Sequence, residues 1–192
     1  MYGNLSKARY DEIEALVVDT FEECDIHTYP IDAFFMVEKL HYILVPYTTL
    51  AKEELLKALE TSNDGYSKVE ENPFTGLYQY VIYYNDMVSW GPRIIFTLLH
   101  EIGHCILGHH DNQDDSLSSI EEEEANHFAK YAIAPPPLIW LAECQNAEDI
   151  VATFHTSAEA GAYCYDFFRK WCNVPGRKPY ETKLVELFYP AA

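Results

Sequence analysis

Apolar residues in the N-terminal part of the chain follow both helical and strand spacing. Over Leu5 to Cys24 they recur every three or four residues, which predicts a helix. Asp32 is placed to cap a second, short helix, and Ala51 to Leu59 predicts a third. His41 to Val45 is rich in β-branched and aromatic residues and predicts a strand that ends at the following proline.

The clearest strand pattern runs from Leu77 to Tyr84. Two sets of apolar or aromatic residues alternate there, and Asn85-Asp86 ends the run. Asn63-Asp64-Gly65 predicts a turn upstream of it. If the strand at 77–84 lies at the edge of its sheet, we expect an extended peptide to pair with it.

The second half of the chain is predicted to be mostly helical. A long apolar helix covers about Arg93 to Leu107, and a polar loop follows from His109 to Leu117. The next helix begins at Ser118 or Ser119 and stops at three consecutive prolines. The remaining chain predicts short helices and a final tail, with the helices at residues 138–143, 148–154 and 157–171.

Helices and strands followed by mostly helices indicate an α+β fold, a small β-sheet packed on helices. A chain of 192 residues is long enough for one sizeable core and short enough for a single domain. We therefore expect one domain over residues 1–192, with a catalytic core at about 30–135 and a helical C-terminal segment at about 136–192.

The formal charge of −18 argues against direct binding to nucleic acid or to anionic membranes, because such a surface repels phosphate groups. No apolar run approaches the roughly 20 residues of a membrane-spanning helix. The five cysteines are widely spaced without a C-x-x-C pair, which is typical of reduced thiols rather than of a disulfide framework. The N-terminus lacks the apolar centre of a secretory signal, so we expect a cytoplasmic protein.

A metal-binding motif lies inside the long apolar helix. His100, Glu101 and His104 form H-E-x-x-H, and residues four apart share one face of a helix. Both imidazoles can therefore reach one zinc ion, while Glu101 is placed to act as a general base on water. The alternative is two structural histidines in the core, which leaves the cost of burying three ionisable groups unexplained.

A catalytic zinc ion needs a third protein ligand, and the next helix offers four consecutive glutamates. Glu122 lies on the inward face of that helix and is our choice, with Glu121 as the alternative. Both also fit capping boxes with the serines at 118 and 119, so these acids can instead cap the helix. Asn126, one turn after Glu122, is placed to accept a hydrogen bond from a ligand histidine.

Four neighbouring positions are expected to play lesser roles. Glu123 shares its face of the helix with His127 and is predicted to point to solvent. Glu124 lies between the inward face and the solvent-facing side. His109 and His110 are expected just past the helix, where a positive charge complements its C-terminal end, rather than at the metal.

These motifs resemble the ImmA/IrrE family of metallo-endopeptidases. The family carries FTxxHExGH and ExEANxFAxxLLxP; this chain has FTLLHEIGH at 96–104 and EEEANHFA at 122–129. Its continuation, Tyr131-Ala132-Ile133-Ala134-Pro135, departs slightly from the family pattern outside the site. The resemblance covers about residues 5–172 and is most specific over 93–135.

The resemblance implies a thermolysin-like pair of active-site helices beside a small sheet, with a HExxH…E zinc site. It also implies proteolysis of one or a few proteins, typically repressors of phage, mobile elements or stress systems. Many relatives carry an N-terminal helix-turn-helix domain, for which this chain has no room, so a separate repressor is the expected partner.

The sequence thus predicts a zinc-dependent endopeptidase that acts on a regulatory protein. One alternative is a metal-dependent sensor or interaction module without proteolysis, against which the presence of Glu101 argues. Another is a zinc hydrolase of small molecules, which a deep closed pocket would favour over an open groove.

Overall fold

A computed structural model describes residues 5–88, 91–110 and 118–189 of the chain. The helices within these ranges are α1 (Lys7–Glu23), α2 (Ala33–Lys39), α3 (Lys52–Thr61), α4 (Gly91–Ile106), α5 (Ser119–Ile133), α6 (Pro136–Leu141), α7 (Ala147–Phe154), α8 (Ala158–Cys172) and α9 (Pro179–Phe188). The strands are β1 (Ile43–Pro46), β2 (Gly65–Glu71) and β3 (Tyr78–Tyr84). The predicted α+β class is confirmed.

The three strands form one mixed sheet in the order β1-β3-β2. β1 runs parallel to β3, with Ile43 opposite Val81, and β2 runs antiparallel to it, with Ser67 opposite Ile82. The predicted strand at 77–84 therefore exists, but it is the central strand. Pairing of this strand with a peptide required it to lie at the edge of the sheet. That condition is not met, because both of its edges are hydrogen-bonded to neighbouring strands.

β2 was not predicted beyond the turn at its start. Its sequence, GYSKVEE, is mostly polar, and only Gly65 within it is buried. Periodicity identifies strands by the apolar residues that they bury, so a polar edge strand has no such signal. A side chain at Gly65 would lie 2.7 Å from the Tyr83 carbonyl oxygen and 2.8 Å from a Thr97 methyl group. Its lack of a side chain lets β2 approach both β3 and α4.

Local capping residues define several helices where the sequence predicted them. The side chain of Asp32 accepts a hydrogen bond from the Phe35 amide at the start of α2. Ser118 and Glu121 cap α5 reciprocally, which identifies Ser118 rather than Ser119 as the capping residue. Of the polar loop predicted at 109–117, residues 111–117 lie outside the described part of the chain.

The prolines at 135–137 act differently from the expectation of a simple stop. α5 does end before them, at Ile133, but Pro136 and Pro137 open α6. Proline suits the first turn of a helix, because the amide hydrogens of that turn have no partner within the helix.

The final tail predicted after residue 171 is wrong, because α9 occupies residues 179–188. Pro179 opens this helix, Leu184 is fully buried, and the indole of Trp171 donates to Glu181 at 2.7 Å. α9 packs against α1 and α6, so one hydrophobic core includes residues from both ends of the described chain. No helix in the described ranges is long and apolar enough to cross a membrane.

Candidate metal centre

Two imidazoles of α4 converge at one point. His100 and His104 lie one helical turn apart, and their Nε2 atoms are 3.0 Å from each other. His104 is 1% exposed, whereas His100 is partly accessible. The apolar residues around them on α4, including Leu98, Leu99 and Ile102, are fully buried and hold this face of the helix against the core.

Glu122 of α5 completes the cluster. Its carboxylate oxygens lie 3.5 Å from the Nε2 of His100 and 3.6 Å from the Nε2 of His104. Ligand atoms about 2.0–2.1 Å from a tetrahedral zinc ion lie roughly 3.3 Å from one another. The three side chains therefore fit a zinc ion in donor type and in spacing, and among the described residues no fourth side chain joins this cluster.

The two candidate glutamates have different neighbours. A carboxylate oxygen of Glu121 accepts from the Ser118 amide at 2.6 Å, so this side chain caps α5. Glu122 instead faces His100 and His104 and is the glutamate that the geometry places in the candidate site.

Local electrostatics favour the metal-binding forms of His104 and Glu122. Burial, followed by the neighbouring His100, lowers the pKa of His104, so its imidazole is neutral at pH 7. A hydrogen bond with His100 is the largest of the effects that lower the pKa of Glu122, so its carboxylate is ionised. Neutral imidazole and ionised carboxylate are the forms that coordinate a divalent cation.

Glu101 lies beside the cluster and is 5% exposed. Burial raises its pKa, because the low-polarity surroundings disfavour the ionised form. The Ser67 hydroxyl of β2 donates to its Oε2 at 2.7 Å. Since that hydrogen is directed to Glu101, the Nε2 of His110, 2.9 Å away, is the donor to the Ser67 oxygen. A carboxylate with a raised pKa is suited to proton transfer near neutral pH.

A cleft of about 410 Å³ gives access to the cluster from solvent. Its walls come from the start of β2, from α4 and from α5, and include Tyr66, Phe96 and Asn126. β2, which the sequence pattern missed, thus contributes both a wall of the cleft and the Ser67 contact with Glu101.

Asn126 lines this cleft, but the contact seen there differs from the predicted one. Its side-chain nitrogen donates to the Glu122 carbonyl oxygen at 2.8 Å, which supports the helical turn that carries Glu122. The hydrogen-bond partner of a candidate ligand histidine is instead His109, whose Nδ1 lies 2.8 Å from the Nδ1 of His104.

His109 and Glu124 are the neighbours of the site that the sequence interpretation missed. His109 follows α4 as expected, but it is buried, and its Nε2 lies 3.1 Å from Glu124 Oε2. A hydrogen bond from Arg9 of α1 is the largest of the effects that lower the pKa of Glu124. Local spacing cannot reveal an ion pair between residues 115 positions apart.

Glu123 was predicted to point to solvent, and this is wrong. Its side chain accepts a hydrogen bond from the Tyr10 hydroxyl of α1 at 3.0 Å and is partly buried. Helical periodicity describes the faces of α5 alone, whereas α1 packs across that side of α5.

Comparisons of this chain with protein-family models, curated proteins and solved structures found no match.

Proposed function

We propose that this protein is a zinc-dependent endopeptidase with a thermolysin-like pair of active-site helices, α4 and α5. The observation that carries the proposal is the convergence of His100, His104 and Glu122 beside the buried carboxylate of Glu101. A structural zinc site normally has four protein ligands, whereas three ligands and a nearby base are typical of hydrolysis.

The residues of the chain have separate roles in this mechanism. His100, His104 and Glu122 would hold a zinc ion, which would supply Lewis-acid chemistry that polarises a peptide carbonyl and acidifies water. Glu101 takes a proton from the attacking water and delivers it to the nitrogen of the leaving amine. Ser67 holds one oxygen of that carboxylate in place.

The edge of the sheet nearest the cleft suggests how a peptide binds. β2 pairs with β3 on one side only among the described strands, and Gly65, Tyr66 and Ser67 line the cleft. An extended peptide that adds to β2 would run past the metal cluster with its backbone hydrogen-bonded to the strand. We therefore propose β2 as the strand that pairs with the peptide, in place of the central strand at 77–84.

The substrate that we propose is a regulatory protein, such as a transcriptional repressor of a phage, a mobile element or a stress system. Its support is the resemblance of residues 96–104 and 122–129 to the ImmA/IrrE motifs. The charge of −18 adds a physical argument, because DNA-binding proteins carry basic surfaces that an acidic partner attracts. A reducing compartment such as the cytoplasm fits the five free cysteines.

The decisive experiment compares the wild-type protein with Glu101→Gln after both are loaded with zinc. We expect the variant to keep one zinc ion per chain, since Glu101 is not a ligand, and to lose about 100-fold or more of the cleavage rate. Cleavage of co-expressed DNA-binding repressors, followed by mass spectrometry of the fragments, provides the assay.

Two results would contradict the proposal. Cleavage by Glu101→Gln within a few-fold of the wild-type rate would remove the general base from the mechanism. Zinc binding by the wild-type protein without cleavage of any co-expressed repressor would instead favour a metal-dependent sensor.

A further inference from the structure

A line of hydrogen-bonded side chains connects α1 to the candidate metal ligands. Arg9 binds both carboxylate oxygens of Glu124, at 2.6 and 2.7 Å. Glu124 Oε2 lies 3.1 Å from the Nε2 of His109, and the Nδ1 of His109 lies 2.8 Å from the Nδ1 of His104. Three helical segments that are distant in sequence therefore meet at a single imidazole.

The direction of each hydrogen bond follows from the chemistry of its partners. An ionised carboxylate only accepts, so the Nε2 of His109 carries a hydrogen and donates it to Glu124. With that single hydrogen on the His109 ring, the other nitrogen, Nδ1, is an acceptor. The Nδ1 of His104 must therefore be the donor, which leaves the lone pair of His104 on Nε2.

That lone pair is the one that the metal cluster needs. The Nε2 of His104 faces the Nε2 of His100 at 3.0 Å and Glu122 at 3.6 Å. In the opposite tautomer, His104 would direct an N–H group at the position of the ion. Because His104 is 1% exposed, the protein itself must supply the partner that selects the tautomer.

We infer that His109 is a positioning residue that fixes the orientation and the metal-binding tautomer of His104, and that Glu124 and Arg9 act through it. The inference rests on the metal site in the proposed function and is independent of proteolysis. Supporting partners of this kind commonly change metal affinity by roughly 10–100-fold when they are removed.

The fold offers a matched control in His127 of α5. Its Nε2 lies 3.2 Å from Glu14 of α1, and its side chain is 11% exposed, compared with 4% for His109. Each histidine thus pairs with a nearly buried glutamate, but only His109 contacts His104. Replacing either one with alanine removes a comparable polar contact from the interior.

The experiment measures zinc affinity by competition with a chromophoric chelator, using the full chain. We expect His109→Ala to bind zinc roughly 10–100-fold more weakly than wild type, and His127→Ala to stay within about 2-fold. Thermal unfolding of the metal-free proteins shows whether the two variants lose comparable stability. His109→Gln should recover part of the affinity, because its amide can accept from His104 and donate to Glu124.

A cobalt(II) absorption spectrum adds a readout of ligand geometry. Wild type and His127→Ala should share one set of visible bands, whereas His109→Ala should show shifted or weaker bands because the His104 ring is less constrained. A change in global stability alone does not produce such a difference.

The far end of the line permits a milder test if His109→Ala does not fold. Arg9→Ala removes both hydrogen bonds to Glu124, and Glu12→Ala removes only the exposed Arg9–Glu12 ion pair. We expect Arg9→Ala to weaken zinc binding by about 3-fold or more and Glu12→Ala to leave it unchanged.

Each outcome bears on a different claim. Weaker zinc binding in His109→Ala and Arg9→Ala, with unchanged controls, supports the inference even if no substrate is cleaved. Equal zinc affinity in His109→Ala and wild type, or an equal loss in His127→Ala, overturns it while leaving the metal site intact. Absence of zinc binding in wild type overturns both the inference and the proposed function.

Discussion

At the scale of residues, the candidate site depends on three side chains whose ionisation matches their task. Burial keeps His104 neutral, while hydrogen bonding to His100 helps to keep Glu122 ionised. Glu101 differs, because burial raises its pKa without placing it among the three clustered ligands. The two glutamates thus have distinct environments, and these environments suit the proposed roles of ligand for Glu122 and base for Glu101.

The choice of third ligand leads to a prediction about Glu122 and Glu121. We expect Glu122→Ala to lose zinc at chelator concentrations that wild type withstands, because two imidazoles alone hold the ion weakly. Glu121→Ala should retain zinc and lose about 1 kcal/mol of stability with half of its capping box. Elemental analysis after dialysis measures the first effect, and urea unfolding measures the second. Zinc loss in Glu121→Ala with retention in Glu122→Ala would reverse the assignment.

At the scale of elements, the separation of α4 and α5 sets the geometry of the cluster. α4 carries both histidines and α5 carries Glu122, so a shift between the helices changes their distances directly. Gly103 faces Phe128 of α5, where a Cβ atom would lie 3.1–3.2 Å from its side chain. Phe128 is fully buried and has little space into which to move.

This contact predicts that Gly103→Ala is destabilising although alanine favours helices. We expect a loss of about 1–3 kcal/mol from overpacking, together with weaker zinc binding as α5 is displaced. Gly91→Ala is the control on the same helix, because a Cβ atom there meets nothing within 4 Å. Denaturant unfolding with zinc titration checks both variants. Unchanged stability and zinc affinity in Gly103→Ala would show that the two helices are not closely constrained there.

At the scale of the whole molecule, the core protects most of the thiols from solvent. Burial raises the pKa of four of the five cysteines, which are Cys24, Cys105, Cys144 and Cys164. Cys172, at the end of α8, is exposed. Since the thiolate is the reactive form, a raised pKa adds to the protection that burial provides.

The thiols therefore report the integrity of the fold. At pH 8 we expect one rapidly reacting thiol in the native protein and five in denaturant, measured with a chromogenic disulfide reagent. Cys172→Ser should abolish the rapid phase. Two or more rapid thiols in the native wild-type protein would contradict the packing of this core.

Local signals determined much of the architecture. Apolar spacing and capping residues identified α1, α2 and the two helices of the candidate site, because each signal acts within a few residues. The motif at 100–104 also implied its own geometry, since helical periodicity places the two histidines on one face. The choice of Glu122 followed from the same periodicity on α5.

Tertiary structure decided what depends on contacts between distant segments. The polar strand β2 exists because it pairs with β3 and lies against α4, so its own sequence gave little indication of it. The orientation of Glu123 was predicted wrongly because its partner, Tyr10, lies on α1. The orientation of Glu124 was left undecided because its partner, Arg9, lies on the same distant helix. Local periodicity describes how a segment can fold, whereas the partner of a buried charge is set by the packing of the whole chain.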